Sequence, residues 1–463
     1  MDTKNLIQWD LDLIKRYDLS GPRYTSYPTA LQFDPELTTS QLVDTGRQTT
    51  DTDQPLSLYV HIPFCAHVCY YCACNKVITR NRKRAQPYLD QVYQEMAQLS
   101  KWYSGDRIVD QLHWGGGTPT FISDDQMREL MGQLGKHFNL KSDDSGDYSI
   151  EIDPREVTLD SISVLREIGF NRISLGVQDV NPQVQEAVNR VQSTEETFAI
   201  VEAARREGFR SLNMDLIYGL PYQSAESFND TLDVVIEMSP DRLSVFNYAH
   251  MPDRFRSQKH IVADTLPSSE TKLQILQNTI QKLLDAGYVY IGMDHFAKPD
   301  DELAIAQRNG QLHRNFQGYT THADCDLVAM GVSAISQIGS VYYQNEHDMA
   351  AYGKAVDGHQ TAIRRGVCLT QDDIIRRAVI TQLICHFELD FSTIEQQFGL
   401  DFKQYFAQEQ IELQQFAADD LISLSENGIR VTNRGRLLIR RICMAFDAYI
   451  PKQQPTQGFS RII

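Results

Sequence analysis

The chain has 463 residues, 42% of them hydrophobic and 23% charged, which is typical of a globular protein with two or three domains. Its formal net charge of -17 disfavours general nucleic-acid binding, because an acidic surface repels the phosphate backbone. The N-terminal segment lacks the apolar core and cleavage site of a signal peptide, and no apolar run approaches the ~20 residues needed to cross a bilayer. We therefore expect a cytoplasmic protein with no nucleic-acid partner and no membrane partner.

Residues 1–54 contain little periodic pattern and are expected to form an N-terminal arm. Within this arm the segment GPRYTSYPTALQF holds two prolines, one glycine and two tyrosines. Flexible linkers rarely contain aromatic residues. The segment is therefore predicted to be extended but ordered.

From residue 56 onward, short β-branched segments alternate with segments of helical periodicity. The strand-like segments are LSLYVHI, IVDQLHW, YSIEID, NRISLGV, RSLNMDLIY and RLSVFNY. A helix-like segment follows each, the last being SSETKLQILQNTIQKLLDAG. This alternation predicts parallel βαβ units, and six such units predict an α/β fold with a partial, TIM-like (β/α)6 barrel over residues 55–365. Residues 366–463 are predicted to form a separate, mostly helical C-terminal domain.

Four of the eight cysteines lie close together directly after the first predicted strand, in YVHIPFCAHVCYYCACNK. Cys65, Cys69 and Cys72 have the spacing Cys-x3-Cys-x2-Cys, and Cys74 follows. Thiolates are soft ligands that suit iron–sulfur clusters or zinc. Structural zinc sites generally use two separated cysteine pairs, so this compact loop favours a [4Fe-4S] cluster on the first three thiols, with one iron left open.

Polar groups occur where the predicted strands end. The run from Gly115 to Gly117 follows the second strand, while Glu151, Gln178 and Asp215 lie at the ends of the third, fourth and fifth. In β/α barrels the C-terminal ends of the strands form the catalytic face. If the strands form a barrel, these groups converge on the cysteine loop.

The three-cysteine spacing, with an aromatic residue (Tyr71) before the last cysteine, resembles the radical S-adenosylmethionine superfamily. That resemblance implies that the amino and carboxylate groups of S-adenosylmethionine bind the open iron, and that cleavage of this molecule releases a 5'-deoxyadenosyl radical. The glycine run resembles the superfamily's motif for the methionine end of the same molecule.

Motifs along nearly the whole chain resemble the bacterial oxygen-independent coproporphyrinogen III oxidases. They are GPRYTSYPTA, YVHIPFCAHVCYYCACNK, LHWGGGTPT, EIDPRE, GVQD, MDLIYGLP, DRLSVFNYAH, IGMDHFA, HRNFQGYTT and MGVSAIS. The resemblance implies oxidative decarboxylation of the ring A and B propionates of coproporphyrinogen III, which gives protoporphyrinogen IX. It also implies an electron donor for the cluster, an unknown electron acceptor, and a monomer.

The family resemblance assigns residues to two S-adenosylmethionine molecules. Those expected at the cluster-bound molecule are Tyr59, Gly116, Glu151 and Ile335. Those expected at the second molecule are Tyr71, Gly117, Thr118, Gln178, Arg190, Asp215 and Ala249. Catalytic or substrate roles are expected for Cys74, Arg23, Phe316 and Gln317.

Two alternatives stay open from the sequence. The first is a haem chaperone of the related family, which shares the barrel and the three-cysteine loop but lacks the fourth cysteine and the N-terminal arm. The second is a radical enzyme acting on another tetrapyrrole. For Arg23, whose guanidinium suits a substrate carboxylate, the alternative is an ion pair with an acidic side chain of the protein.

Overall fold

The computed structural model describes residues 7–103, 105–450 and 459–462. The ends of the predicted arm and of the predicted C-terminal domain therefore lie outside the described residues.

The strands in chain order are β1 (Leu56–Ile62), β2 (Phe64–Cys65), β3 (Val77–Ile78), β4 (Ile108–Gly116), β5 (Asn139–Leu140), β6 (Asp147–Ile152), β7 (Arg172–Gln178), β8 (Ser211–Tyr218), β9 (Arg242–Asn247), β10 (Val289–Gly292), β11 (His295–Ala297), β12 (His313–Asn315), β13 (Gly318–Thr320), β14 (Asp326–Met330), β15 (Ile335–Ile338), β16 (Val341–Asn345), β17 (Ile363–Cys368), β18 (Glu388–Asp390), β19 (Ile422–Leu424) and β20 (Gly428–Val431).

The helices are α1 (Leu11–Tyr17), α2 (Thr39–Thr49), α3 (Ala85–Tyr103), α4 (Asp124–His137), α5 (Leu159–Glu167), α6 (Pro182–Ala187), α7 (Thr194–Arg206), α8 (Ala225–Met238), α9 (Ser269–Asp285), α10 (Glu302–Arg308), α11 (Met349–Asp357), α12 (Gln371–His386), α13 (Phe391–Phe398), α14 (Phe402–Tyr405), α15 (Gln410–Ala418) and α16 (Ile439–Met444).

The chain divides into two compact units. The barrel unit consists of Phe33–Thr279 and Asp324–Cys368. The terminal unit consists of Met1–Gln32, Ile280–Ala323 and Leu369–Ile463. The three domains predicted from the sequence, residues 1–54, 55–365 and 366–463, stay a prediction.

The barrel unit contains the six predicted parallel strands, in the order β9-β8-β7-β6-β4-β1. Helices α3, α4, α5, α7, α8 and α9 follow these strands along the chain. Within the described strands β1 pairs with β14 rather than with β9, so the barrel is partial. The predicted partial (β/α)6 barrel is confirmed.

The barrel strands carry apolar side chains on one face and polar side chains on the other. In β1, Leu58, Val60 and Ile62 are fully buried, whereas Tyr59 and His61 alternate with them. Register aligns Tyr59 with His113 of β4, and His113 with Ser149 of β6. Because strand side chains alternate between faces, the polar groups of neighbouring strands share the inner face.

A seventh parallel strand was not predicted. All five residues of β14 are buried, and the strand pairs in parallel with β1. Antiparallel strands β15, β16 and β17 continue from it. This extension places Ile335, the first residue of β15, two strands away from the strand that leads into the cysteine loop.

The terminal unit is mostly helical in its C-terminal part, as expected. Helix α12 starts with a capping box between Thr370 and Asp373 and buries Val379 and Leu383. The short sheet β18-β20-β19 lies between the helices along the chain. Among the residues that the structure describes, no helix is long and apolar enough to cross a membrane.

Candidate active site

The cysteine loop begins where β1 ends and is held by backbone hydrogen bonds. Gly117 N–H donates to Ile62 O at 2.9 Å, and Thr118 N–H donates to Phe64 O at 2.9 Å. The Thr118 hydroxyl also lies 3.5 Å from the Cys65 sulfur. The loop after β4 is therefore joined directly to the loop that carries the thiols.

The three predicted cluster ligands lie near one another. Burial raises the pKa of the Cys65 thiol to about 12, and the negative charges of Cys72 and Cys69 add to this rise. Cys74 lies beside Cys72, and its hydrogen bond to Cys72 lowers the pKa of the Cys72 thiol. A group of thiols that repel each other as thiolates is suited to a cation or cluster that neutralises them.

The glycine run leaves no room for side chains. A Cβ on Gly117 would lie 2.6 Å from Pro63 O, and one on Gly116 would lie 2.7 Å from Cε1 of His61. Gly116 also has a φ of 120°, which side-chain-bearing residues rarely adopt. These glycines therefore allow the backbone at the end of β4 to approach the cysteine loop.

Glu151 is joined to this backbone and to a histidine. Its Oε2 accepts from Gly116 N–H at 3.1 Å, and its Oε1 lies 3.3 Å from His113 Nε2. Burial opposes ionisation, but these hydrogen bonds hold the pKa of Glu151 below its ordinary value. The carboxylate is therefore charged and can receive the ammonium group of a ligand.

Tyr59 lies on the same inner face. Its ring stacks on His113 at 5.8 Å, and its hydroxyl lies 3.0 Å from His61 Nδ1. Because His61 Nε2 lies 3.0 Å from the carbonyl of Asn75, that nitrogen carries the proton and Nδ1 accepts from Tyr59.

Two of the residues expected at a second S-adenosylmethionine, Gln178 and Asp215, lie in the neighbouring strands β7 and β8. Gln178 has a φ of 68°, and its buried Oε1 has no hydrogen-bond partner among the described residues. Asp215 accepts hydrogen bonds from Asn213 at 2.9 Å and Ser174 at 3.1 Å. Burial raises the pKa of Asp215 to about 6, and the charge of Glu151 adds to this rise. A strained backbone and an unpaired amide oxygen are features that a bound ligand would account for.

Gln258, which was not predicted, connects two further residues expected at the second S-adenosylmethionine, Tyr71 and Ala249. The Gln258 side chain is almost fully buried and donates to Tyr71 O at 3.0 Å and to Ala249 O at 3.2 Å. It thereby links the cysteine loop to the segment after β9. A lone glutamine in the segment RFRSQKH carries no signal that could have identified it.

Arg190 is buried beside the cysteine loop. Its Nη1 lies 2.9 Å from Asp153 Oδ2 and 3.4 Å from the Cys69 sulfur, and its Nη2 donates to Gly176 O at 2.6 Å. Arg155 also contacts Asp153 and Cys69. Asp153, Arg155 and His113 were missed as site residues, although all three lie in the motifs EIDPRE and LHWGGGT, each of which also holds a predicted site residue.

Three predicted residues belong to the terminal unit. The Arg23 guanidinium forms an ion pair with Asp294, which is the alternative considered for it. Phe316 and Gln317 form the turn between β12 and β13. The buried Nε2 of Gln317 has no partner among the described residues.

The sequence matches the Radical SAM superfamily over residues 59–235 and the HemN C-terminal domain over residues 369–438. Together with the barrel and the three-thiol loop, these matches define a radical S-adenosylmethionine enzyme.

The chain is 59% identical to the oxygen-independent coproporphyrinogen III oxidase of Pseudomonas aeruginosa, with 99% of both chains covered. It is 52% identical to the Escherichia coli enzyme, again with 99% of both covered. The solved structure of coproporphyrinogen III oxidase (HemN) from Escherichia coli, described as a radical SAM enzyme, matches with a TM-score of 0.92 over 96% of this chain and 100% of that one. The chain belongs to the family of oxygen-independent coproporphyrinogen III oxidases.

Membership of this superfamily implies a [4Fe-4S] cluster and S-adenosylmethionine. The residues present fit both groups. Three neighbouring thiols supply the donor set, and Glu151, held by Gly116 N–H, offers a carboxylate to the amino group of S-adenosylmethionine.

Proposed function

We propose that this chain converts the ring A and B propionates of coproporphyrinogen III to vinyl groups and so makes protoporphyrinogen IX. The observation that carries the proposal is the 59% identity to an oxygen-independent coproporphyrinogen III oxidase over 99% of both chains. This relative is an oxidase and is similar over its whole length. The similarity therefore supports the oxidase reaction for this chain over the alternative function of a haem chaperone.

The reaction requires a radical because the hydrogen on the propionate β-carbon is not acidic. No side-chain base of ordinary pKa could remove it as a proton. Cluster and S-adenosylmethionine, when bound, supply a carbon radical able to take it as an atom. For each vinyl group, one hydrogen atom, one carbon dioxide and one electron leave the propionate. The cluster, when bound, would need one electron from a donor to cleave S-adenosylmethionine, and the electron that leaves the propionate needs an acceptor. An electron donor and an electron acceptor are therefore both partners of the proposed activity.

The protein residues hold and orient the reactants. Cys65, Cys69 and Cys72 would each hold one iron and leave the fourth iron open. Glu151 would accept hydrogen bonds from the amino group of the iron-bound S-adenosylmethionine, and Gly116 would lie beside the same molecule. Tyr59 and Ile335 would line the same molecule.

We further propose a second S-adenosylmethionine near the ends of β7 and β8. The unpaired Oε1 of Gln178 and the carboxylate of Asp215 support this site, because both can accept hydrogen bonds from an ammonium group or a ribose. The other residues proposed to line it are Tyr71, Gly117, Thr118, Arg190 and Ala249. Two molecules would match the two propionates that react in each substrate.

Substrate contacts are proposed for Arg23, Phe316 and Gln317, and a catalytic role for Cys74. The unpaired Nε2 of Gln317 supports its assignment, since an amide N–H can donate to a propionate. Arg23 would have to exchange Asp294 for a substrate carboxylate. We propose that the enzyme acts as a monomer in the cytoplasm, without a nucleic-acid or membrane partner.

The experiment is anaerobic reconstitution with iron and sulfide, followed by addition of dithionite, S-adenosylmethionine and coproporphyrinogen III. We expect protoporphyrinogen IX with release of methionine and 5'-deoxyadenosine. Cys65→Ser should abolish all three, whereas Cys368→Ser, in β17, should leave them intact. Tight stoichiometric haem binding without porphyrinogen turnover would instead support the chaperone.

A further inference from the structure

Two arginines and one aspartate form a charged group beside the cysteine loop. Asp153, which follows β6, accepts from Arg155 Nη2 at 2.7 Å and from Arg190 Nη1 at 2.9 Å. The side chains of Asp153, Arg155 and Arg190 are 10%, 13% and 7% exposed. Because Asp153 shares one carboxylate between two guanidinium groups, both arginines have fixed positions.

Both arginines also point an N–H group at the same sulfur. Arg155 Nη2 and Arg190 Nη1 each lie 3.4 Å from Cys69 Sγ. The hydrogen bond recorded for the Cys65 sulfur comes from the neutral hydroxyl of Thr118. Cys72 receives side-chain hydrogen bonds from Cys74 and from the cationic Lys76. Among the three predicted cluster thiols, Cys69 is therefore the one with two cationic donors in the part of the chain that the structure describes.

The charge of this group is opposite to that of the whole chain. Two arginines and one aspartate sum to +1 (2 − 1), in a chain whose formal net charge is -17. Reduction of a cluster adds one negative charge to it. Nearby positive charge and hydrogen bonds to the ligating sulfur favour the reduced form and so raise the reduction potential.

We propose that Arg155, fixed by Asp153, raises the reduction potential of the [4Fe-4S] cluster through its hydrogen bond and charge at Cys69. The inference rests on the proposed function in requiring a cluster on Cys69, and it deepens that function by assigning the residue that helps the cluster accept its electron. Arg190 contributes to the same effect, but it is also proposed to contact the second S-adenosylmethionine. Arg155 therefore gives the cleaner test.

The test is an anaerobic redox titration of the reconstituted protein, followed by electron paramagnetic resonance without S-adenosylmethionine or substrate. Arg155→Met keeps the aliphatic bulk and removes the charge and the donors. At a fixed potential we expect the ratio of reduced to oxidised cluster to fall about tenfold. This corresponds to a reduction potential that is ~59 mV more negative for a one-electron couple. Arg155→Lys keeps the positive charge but lacks the planar guanidinium, so its reduction potential should lie between those of Arg155→Met and the parent protein.

The control is Arg128→Met, which removes a guanidinium paired with Glu167 at 2.8 Å on the helical surface. It should titrate like the parent protein. A potential for Arg155→Met equal to that of this control, at equal iron content, would overturn the proposal.

Arg155→Gln supplies a second test. It keeps a neutral amide N–H donor and removes the positive charge, so the potential should become more negative than that of the parent protein. If Arg155→Met failed to retain iron, a potential for Arg155→Gln equal to that of Arg128→Met would overturn the proposal. Because the titration contains no substrate, a normal potential shift in a protein that does not convert coproporphyrinogen III would overturn only the proposed function.

Discussion

The Glu151 carboxylate accepts a hydrogen bond from the backbone N–H of Gly116 at 3.1 Å. This contact joins the end of β6 to the glycine run at the end of β4, and that run contacts the cysteine loop. The acid, the glycines and the thiols therefore form one connected site, built from the carboxyl ends of three neighbouring strands.

His113 is expected to position Glu151 rather than to react. Its Nδ1 lies 2.7 Å from the Ser149 hydroxyl, which leaves Nε2 to donate to Glu151. His113→Phe keeps the ring stacked on Tyr59 but removes that donor. A hydrogen bond to a charged group contributes about 1.5–3 kcal/mol, so we expect affinity for S-adenosylmethionine to fall about tenfold or more. Anaerobic calorimetry measures this, and kcat at saturation should change less than KM.

His137→Phe, near the end of α4, is the matched control, because its ring lies 3.5 Å from the hydroxyl of Ser100 in α3. Equal affinities for the two variants would show that His113 does not position the carboxylate.

Gly117→Ala tests whether the glycine run must lack side chains. Its Cβ would lie 2.6 Å from Pro63 O and 2.9 Å from Phe64 O, both backbone atoms that cannot rotate away. We expect a loss of about 1–3 kcal/mol in stability and poor cluster retention, because the cysteine loop must shift. Iron content and the thermal unfolding midpoint measure the two effects.

Gly132→Ala is the control for this substitution. Gly132 lies within α4, and nothing is within 4 Å of its added Cβ. Alanine should there be neutral or stabilise the helix by up to about 1 kcal/mol. Full iron content in Gly117→Ala would contradict the steric argument.

The barrel strands could be predicted because their patterns are local. LSLYVHI coincides with β1, and each of the other five barrel segments overlaps one strand. Helix α2 could not be predicted, since its segment TSQLVDTGRQT is rich in threonine and polar residues. A capping box from Thr38 and the burial of Leu42 and Val43 stabilise it. Strand β14 was missed because DLVAM is short and buried throughout, with no alternation.

In the site, too, local sequence patterns identified some residues and missed those placed by distant contacts. The cysteines and glycines could be identified because their spacing along the chain carries the signal. The contact between Arg190 and Asp153 joins residues 37 positions apart, and that of Gln258 with Tyr71 joins residues 187 apart. Such contacts depend on how the loops fold over the barrel, which no local pattern specifies. The roles proposed for Arg23, Phe316 and Gln317 stay predictions.

Binding of S-adenosylmethionine should depend on pH through Asp215. Burial and the charge of Glu151 raise the pKa of this carboxyl to about 6. Below that pH Asp215 gains a proton and loses its attraction for the sulfonium and ammonium charges, so affinity at the second site should fall. Above it the carboxylate is charged, and binding should approach its maximum. Calorimetry between pH 5 and 8 measures the affinity at each pH. It also measures the proton that Asp215 releases when S-adenosylmethionine binds near pH 6.

In Asp215→Asn the second site should bind about tenfold more weakly above pH 7, with little dependence on pH. Asp230→Asn, at an exposed position of α8, should behave like the parent protein. A pH profile that survives unchanged in Asp215→Asn would assign the titration to another group.

Glu95 should make the stability of the barrel unit depend on pH. This carboxyl, in α3, is 6% exposed and accepts from Gly331 N–H at 2.7 Å, Asn345 Nδ2 at 2.6 Å and the Tyr352 hydroxyl at 2.6 Å. Burial raises its pKa from 4.5 to about 7, and the three donors limit the rise. Between these values the folded state binds the proton that the unfolded state has released. Stability therefore falls as pH rises from about 4.5 to about 7, by up to about 3 kcal/mol at ~1.36 kcal/mol per pH unit.

In Glu95→Gln this dependence of stability on pH should disappear. The amide N–H group of the glutamine would face hydrogen-bond donors, so the substitution should cost about 1–3 kcal/mol at every pH. Unfolding midpoints between pH 5 and 8 measure both effects, with the exposed Glu129→Gln in α4 as the control. If the slope persisted in Glu95→Gln, the titrating group would lie elsewhere.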